Sequence, residues 1–295
     1  MSKKAFIIYV VSFVCLFIVI DRVANKFLVE GLNRYYGIGE LNQVALVGHS
    51  HLMLGIDKIQ IEETLKTKVT KYTREGVNVS DRLVMIKQLI DKNPNLKTII
   101  YGVDAWTFTG EGLSKNSYKL FYPFLDDSSI DNYVHANGDP LDYISKKWVK
   151  SSRYNEQLVS SAMRGYLEKW DNLKYGIVDT LKLNKTIEKG TFRKINNNFK
   201  NIEVFKETLK LLMENDINVI LMYVPTIDKL ETVQQVDFDL TIKIFEDLTN
   251  DTVKFLNLQE PWSKRYDLFY DPIHLNPEGQ RQITKELVKF LKSNK

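Results

Sequence analysis

The chain has 295 residues, 44% hydrophobic and 26% charged, which excludes a disordered or fibrous protein. A formal charge of +4, with no basic run interleaved with aromatics, excludes a nucleic-acid groove, so no nucleic-acid partner is expected. The single cysteine, Cys15, excludes an intramolecular disulfide and a multi-cysteine metal site.

Ala5 to Ile20 is an apolar run interrupted only by Ser12, preceded by Lys3 and Lys4 and closed by Asp21 and Arg22. It is just under the roughly 17–25 residues usual for a spanning helix, and Val23 and Ala24 extend it. No small-x-small cleavage site follows, so residues 1–24 are expected to form an uncleaved transmembrane anchor. The short tail before it makes an inside amino terminus the default. Residues 25–295 would then form an extracytoplasmic domain held at the plasma membrane by a single pass. The lack of cysteine in that remainder agrees with export.

Beyond the anchor, residues 43–48 read as a buried strand ending in glycine. Residues 58–66 have helical spacing, 68–72 form a second strand, and Ser80 or Asp81 caps a helix running to Ile90. A third strand covers 98–103. From Asp104 to about Asn198 the alternation breaks down, with helices expected at 141–148 and 156–170; about 105–200 is read as a helical insertion. A helix carrying Ile202, Phe205, Leu209, Leu212 and Met213 leads into a strand over 217–224. Then come a helix at 238–248, a strand at 253–258, and a final helix with Asn276 as cap and Pro277 in its first turn, ending near Leu291. Alternating strands and helices predict an α/β domain over 25–295: a three-layer, flavodoxin-like parallel sheet with helices on both faces.

Two short constellations carry chemistry. Gly48-His49-Ser50-His51 follows the first strand directly. In a parallel sheet ligands bind at the carboxyl ends of the strands, where such a serine hydroxyl would be exposed. Asp271-Pro272-Ile273-His274 precedes the final helix. Its aspartate, three residues from the histidine, can fix the imidazole in one tautomer, and that imidazole can serve as general base for a serine.

Together these residues resemble the SGNH/GDSL hydrolase superfamily, over about Gln43 to Leu291, and the stretch HLNPEG looks like that family's closing block. The resemblance implies Ser50 as nucleophile, His274 as base and Asp271 as its orienter, with no cofactor. It also implies oxyanion-hole donors, for which Gly76 or Asn78 are the candidates. Where the family ends its third block in asparagine, this chain has Asp104, followed by Trp106; an ionised carboxylate there would repel an oxyanion. Either Asp104 is protonated, another amide substitutes as donor, or the residue binds substrate instead; His49, His51, Asp104 and Trp106 are taken as substrate-binding candidates.

An anchor followed by such a domain is similar to a membrane-bound branch that includes the D-alanyl transfer protein of teichoic acid and alginate O-acetylation proteins. That likeness implies a serine esterase or O-acyltransferase, an acylated or acyl-accepting glycan, and a membrane-bound O-acyltransferase as partner. Trp106, Tyr118, Tyr122 and Trp148 are candidates for a sugar-stacking platform. Two other readings compete: a zinc site built from His49, His51, His274 and Asp271, and a non-catalytic envelope scaffold or glycan-binding module on the same fold.

Overall fold

The structure is a computed structural model that describes residues 2–110 and 116–293. Residues 111–115 of the expected insertion, and Met1 of the expected anchor, lie outside the described residues. In chain order the elements are α1 (Lys3–Tyr36), β1 (Val44–Gly48), α2 (Ser50–Gly55), α3 (Lys58–Leu65), β2 (Val69–Thr73), α4 (Val79–Lys92) and β3 (Thr98–Val103). Next come α5 (Ser128–Asn137), α6 (Pro140–Trp148), α7 (Glu156–Tyr166), α8 (Thr180–Glu188) and α9 (Phe199–Glu214). The chain finishes with β4 (Asn218–Tyr223), α10 (Asp228–Thr232), α11 (Gln235–Asp247), β5 (Val253–Asn257) and α12 (Pro277–Ser293). Contacts divide these into two compact units, Met1–Tyr35 with Tyr118–Lys169, and Tyr36–Ser117 with Trp170–Lys295.

The second unit is the α/β domain. Its five strands are all parallel, in the order β2-β1-β3-β4-β5, the flavodoxin-like order. Strands covered on both faces must be apolar throughout, and Ala45, Leu46 and Val47 of β1 are indeed fully buried. Helices α4 and α9 pack together, and α12 packs with α2 and α3, making the two helical layers. The strand order reverses at β1, flanked by β2 and β3, so the carboxyl ends of β1 and β3 open onto the switch point where ligands bind in such sheets.

Glycine is required at two of those strand ends. A Cβ on Gly102 would fall 2.9 Å from the Leu52 Cβ, and one on Gly48 would fall 3.0 Å from it. Their bare backbones let α2 settle onto the sheet with Ser50 in its first turn. At six residues, α2 is too short to show a helical period, which is why the sequence reading did not include it.

Helix α4 starts two or three residues earlier than expected. Asn78, not Ser80 or Asp81, is the cap: its Oδ1 accepts from the Asp81 amide at 2.9 Å, and the Asp81 carboxylate accepts from the Asn78 amide at 2.9 Å. With several cap-forming residues in a row, the reciprocal pair decides between them.

In the first unit, α1 is a single helix, long and apolar enough to cross a membrane, with a mean hydropathy of 2.4 over its most apolar stretch. It continues past the expected limit at residue 24, because its second half packs on residues 118–169. The Asp21 carboxylate accepts from the amides of Lys150 at 3.1 Å and Ser151 at 2.6 Å. The Tyr154 hydroxyl donates to Asn25 Oδ1 at 3.0 Å, and the Phe27 and Tyr166 rings stack at 4.6 Å. Near Gly31, α1 and α7 approach so closely that a Cβ on Gly165 would lie 2.8 Å from the Tyr35 nitrogen. The boundaries thus differ from the expected 1–24 and 25–295. Residues 118–169 group with α1, and residues 170–200 group with the sheet.

Candidate active site

Ser50 occupies the first turn of α2, and its Oγ lies 2.9 Å from His274 Nε2, across 224 positions of sequence. On the other side of the ring, His274 Nδ1 lies 2.8 Å from Asp271 Oδ2. The second Asp271 oxygen accepts from the amides of Ile273 and His274, both at 2.9 Å, so carboxylate and imidazole are fixed by the same turn. Burial opposes ionisation of Asp271, yet the His274 hydrogen bond and charge, with these amides, hold its carboxyl below the usual range. The carboxylate is therefore charged at neutral pH and keeps the proton on Nδ1, leaving the Nε2 lone pair for the serine hydroxyl.

The loop bearing these two residues is pinned at several points. The Tyr270 amide donates to the His274 carbonyl at 2.8 Å, and the Ile227 amide donates to the Pro272 carbonyl at 3.0 Å. Asn276 accepts from the Gly279 amide at 3.0 Å as the cap of α12, and its Nδ2 donates to the Asp267 carbonyl at 2.8 Å. The cap that the sequence shows as a helix start is thus also the fastening of the loop that bears Asp271 and His274.

Behind Ser50 lies a second, wholly buried cluster. His49 Nε2 and His51 Nδ1 contact the same oxygen of Asp104, at 3.0 and 3.2 Å. The other Asp104 oxygen accepts from the Trp106 amide at 2.9 Å and the Thr107 hydroxyl at 3.1 Å. Burial opposes the charge on Asp104, but the two imidazoles and the nearby Arg193 guanidinium outweigh it and hold the carboxyl well below its usual range. Burial also pushes His49 down and His51 well down, against the pull of Asp104. Asp104 therefore does not face the cleft as a bare charge.

This arrangement also bears on the zinc reading. His274 is engaged with Ser50 and Asp271 and is not part of a metal set; the atoms that converge within 4.8 Å are those of His49, His51 and Asp104. The His51 amide donates to His49 Nδ1 at 3.2 Å, so that nitrogen carries the lone pair and Nε2 carries the proton. A ring ligating through Nε2 would have to place its proton on Nδ1, against that amide. The tautomer disfavours a metal centre at this trio.

Ser50 opens into a cleft of about 210 Å³ lined by His49, His51, Gly76, Asp104, Trp106 and the two arginines Arg82 and Arg193, among others. Asn78 is not among the lining residues, its side-chain oxygen being committed to the α4 cap. Gly76 is, in a left-handed turn at φ 73°. Neither arginine was singled out from the sequence. Arg82 is buried and donates to the Gly102 carbonyl at 2.7 Å. Arg193 comes from the irregular segment before α9, and its Nε and Nη2 are buried without a hydrogen-bond partner. Its backbone carbonyl accepts from Trp106 Nε1 and Gln234 Nε2, each at 3.1 Å. Those long-range bonds place it, and no local pattern marks it.

A second compartment, of about 580 Å³, shares Trp106, Arg193 and Ile273 with the first. Ile177, Val178, Leu183, Phe192, Leu230 and Tyr270 make its walls largely apolar. Of the four aromatics considered as a sugar platform, Trp106 belongs to this unit, whereas Tyr118, Tyr122 and Trp148 belong to the other.

The turn after β3 is tied to a buried carboxyl. The Ala105 amide donates to the Tyr223 hydroxyl at 3.1 Å, and that hydroxyl donates to Glu231 at 2.6 Å, with Thr226 and Gln259 also bonded to Glu231. Burial pushes the Glu231 carboxyl up to about 8, against the Thr226 and Tyr223 hydrogen bonds. A carboxyl raised from an unfolded value of 4.5 stabilises the folded chain fully below that pH, and loses the contribution as pH rises through about 8. Thermal unfolding across pH 5 to 9 should show this decline, on the order of a few kcal/mol. Glu231→Gln, neutral throughout, should flatten it, and an unchanged pH profile would show that Glu231 is ionised in the fold.

No family model matches the chain, and no curated protein matches it. Among solved structures it is similar to a GDSL-like lipase from Bacteroides thetaiotaomicron VPI-5482, at 11% identity and a TM-score of 0.42, over 86% of this chain and 89% of that one. It is also similar to a candidate acylhydrolase from Bacteroides fragilis NCTC 9343, at 9% identity and a TM-score of 0.41, over 85% and 86% of the two chains. Identities and superpositions this low say nothing about activity, for which the site geometry is the guide.

Proposed function

We propose that this chain is a serine esterase or O-acyltransferase of the SGNH/GDSL superfamily, anchored in the plasma membrane by α1 and acting on an extracytoplasmic glycan. The observation that carries the chemistry is the unbroken line from Ser50 Oγ to His274 Nε2, at 2.9 Å, and from His274 Nδ1 to Asp271, at 2.8 Å.

In the first half-reaction His274 Nε2 takes the Ser50 proton as Oγ attacks the ester carbonyl. The Ser50 amide, in the first turn of α2 and so without an intrahelical acceptor, and the Gly76 amide are the donors for the oxyanion, with Arg193 adding positive charge beside them. Collapse breaks the ester bond, and His274 returns the proton to the departing alcohol, leaving an acyl ester on Ser50. Water or a sugar hydroxyl then gives its proton to His274 and attacks that ester, releasing the acid or the new ester and restoring Ser50. The acyl part fits the apolar compartment beside Trp106 and Ile273, and the polar cleft takes the glycan side. In the transferase form the acyl group comes from a membrane-bound O-acyltransferase partner.

The test is labelling with a fluorophosphonate, followed by turnover of p-nitrophenyl esters with and without an acetylatable oligosaccharide. A single adduct on Ser50, unaffected by chelator, together with ester turnover is the expected result. Acyl transfer to the sugar distinguishes the transferase from the hydrolase. Absence of both adduct and turnover would favour the non-catalytic module.

A further inference from the structure

Helix α6 has its sides reversed. On a helix at a protein–water surface the apolar stripe faces inward and the polar side faces water. In α6 the polar side chains are the ones tied to the body of the first unit. Asp142 accepts from the Tyr122 hydroxyl at 2.7 Å, and the Tyr143 hydroxyl and Lys147 Nζ both donate to Asp131, at 2.9 Å each. Lys146 Nζ donates to the Ser152 carbonyl at 2.7 Å. The apolar side chains point away from it: Leu141, Ile144 and Trp148 are 78%, 51% and 75% exposed, and no residue of α6 is buried. Their spacing of three and then four residues puts them in one row on the helix.

The place of that row says what covers it. Arg22 Nη2 donates to the Trp148 carbonyl at 3.3 Å, and the amides of Lys150 and Ser151, just after α6, bind Asp21. Asp21 and Arg22 are the residues that close the apolar run of α1. A run of that length rises only about 24 Å, less than the roughly 30 Å of a bilayer's hydrocarbon layer. The bond partners of α6 are therefore at the level where the chain leaves the lipid. Tryptophan is favoured at that depth, with its ring in the boundary layer and its indole nitrogen among the headgroups.

We infer that α6 is an interfacial helix, its Leu141–Ile144–Trp148 row seated in the headgroup and upper acyl layer of the bilayer that α1 crosses. The inference rests on the membrane-anchor reading of α1. It gives the first unit a second membrane contact beside the span, which fixes that unit's tilt at the surface, as a single helix could not.

The chain supplies its own control in Cys15, exposed in the middle of the apolar run. The full-length protein is reconstituted into vesicles of phosphatidylcholine and phosphatidylglycerol and labelled with an environment-sensitive fluorophore, either at Cys15 or, in a Cys15→Ala background, at Leu141→Cys. The expected result is that the Cys15 probe is quenched by lipids carrying a doxyl group deep in the acyl chain. The Leu141→Cys probe should be quenched by lipids labelled near the headgroup and be blue-shifted relative to the detergent-free aqueous value. A Leu141→Cys probe open to aqueous iodide, with Cys15 in lipid, overturns the inference and leaves the anchor standing. A probe shielded from both lipid and iodide means that protein, such as a second copy, covers the row, and this also overturns it. A Cys15 probe in water removes the anchor reading, and α6's role falls with it.

Discussion

Ser50→Ala is expected to lower ester turnover about 1,000-fold or more and to abolish the fluorophosphonate adduct, with the thermal midpoint nearly unchanged. Among the described residues the serine hydroxyl has one partner, His274 Nε2 at 2.9 Å, and it faces a cleft, so its loss leaves no buried polar atom stranded. His274→Gln should cost a similar factor, because without a base the hydroxyl is not a nucleophile at neutral pH. Asp271→Asn should retain slow labelling. The two amides that hold the loop, from Ile273 and His274, still find an oxygen, but the amide nitrogen of asparagine favours the wrong imidazole tautomer. Intact-mass detection of the adduct and steady-state rates with one ester measure all three. Turnover that survives in Ser50→Ala would remove the acyl-serine mechanism whatever the geometry.

The parts of this site that the sequence made legible are those built from local chemistry. A strand that must be apolar on both faces and then ends in Gly48 announces Ser50. An Asx-capped, proline-led final helix announces the loop of Asp271 and His274, since Asn276 serves both. The parallel sheet with helices on both faces followed from the strand–helix alternation, whereas the strand order is set by how the strands pair. Asp104 was legible as a departure but not in its consequence. That a carboxylate at the end of β3 would be enclosed by His49 and His51 depends on how β1 and β3 lie side by side. Arg193 had no local signal, its position being set by Trp106 and Gln234 from distant parts of the chain. The boundary at residue 24 failed for a related reason. Hydropathy marks where the apolar run stops, whereas the helix continues because Asn25, Phe27 and Gly31 find partners in residues 154–166.

Asp104→Ala is expected to be the most destabilising single change around the site, costing about 3–5 kcal/mol. The carboxylate is 3% exposed and has four groups directed at it: the imidazoles of His49 and His51, the Trp106 amide and the Thr107 hydroxyl. Removing it strands the Trp106 amide and the Thr107 hydroxyl, takes the charge from beside the two imidazoles, and leaves the Arg193 guanidinium without the carboxylate that compensates it. For an α/β unit of this size the loss corresponds to a midpoint lowered by roughly 10 °C. Asp104→Asn separates the two halves of the role. Its oxygen can still accept from Trp106 and Thr107 and so preserve the turn after β3, but it brings no negative charge to the two imidazoles and Arg193. Asn should therefore recover part of the stability lost in Ala, yet still slow fluorophosphonate labelling, because His49 and His51 bracket Ser50 in sequence and hold α2's first turn. Calorimetry and labelling rates on the two variants are the measurements. If Asp104→Ala unfolds within about 1 kcal/mol of the parent, the carboxylate is not holding the cluster together. The explanation given for an acid at the end of β3 would then have to be replaced by one in which it meets the substrate.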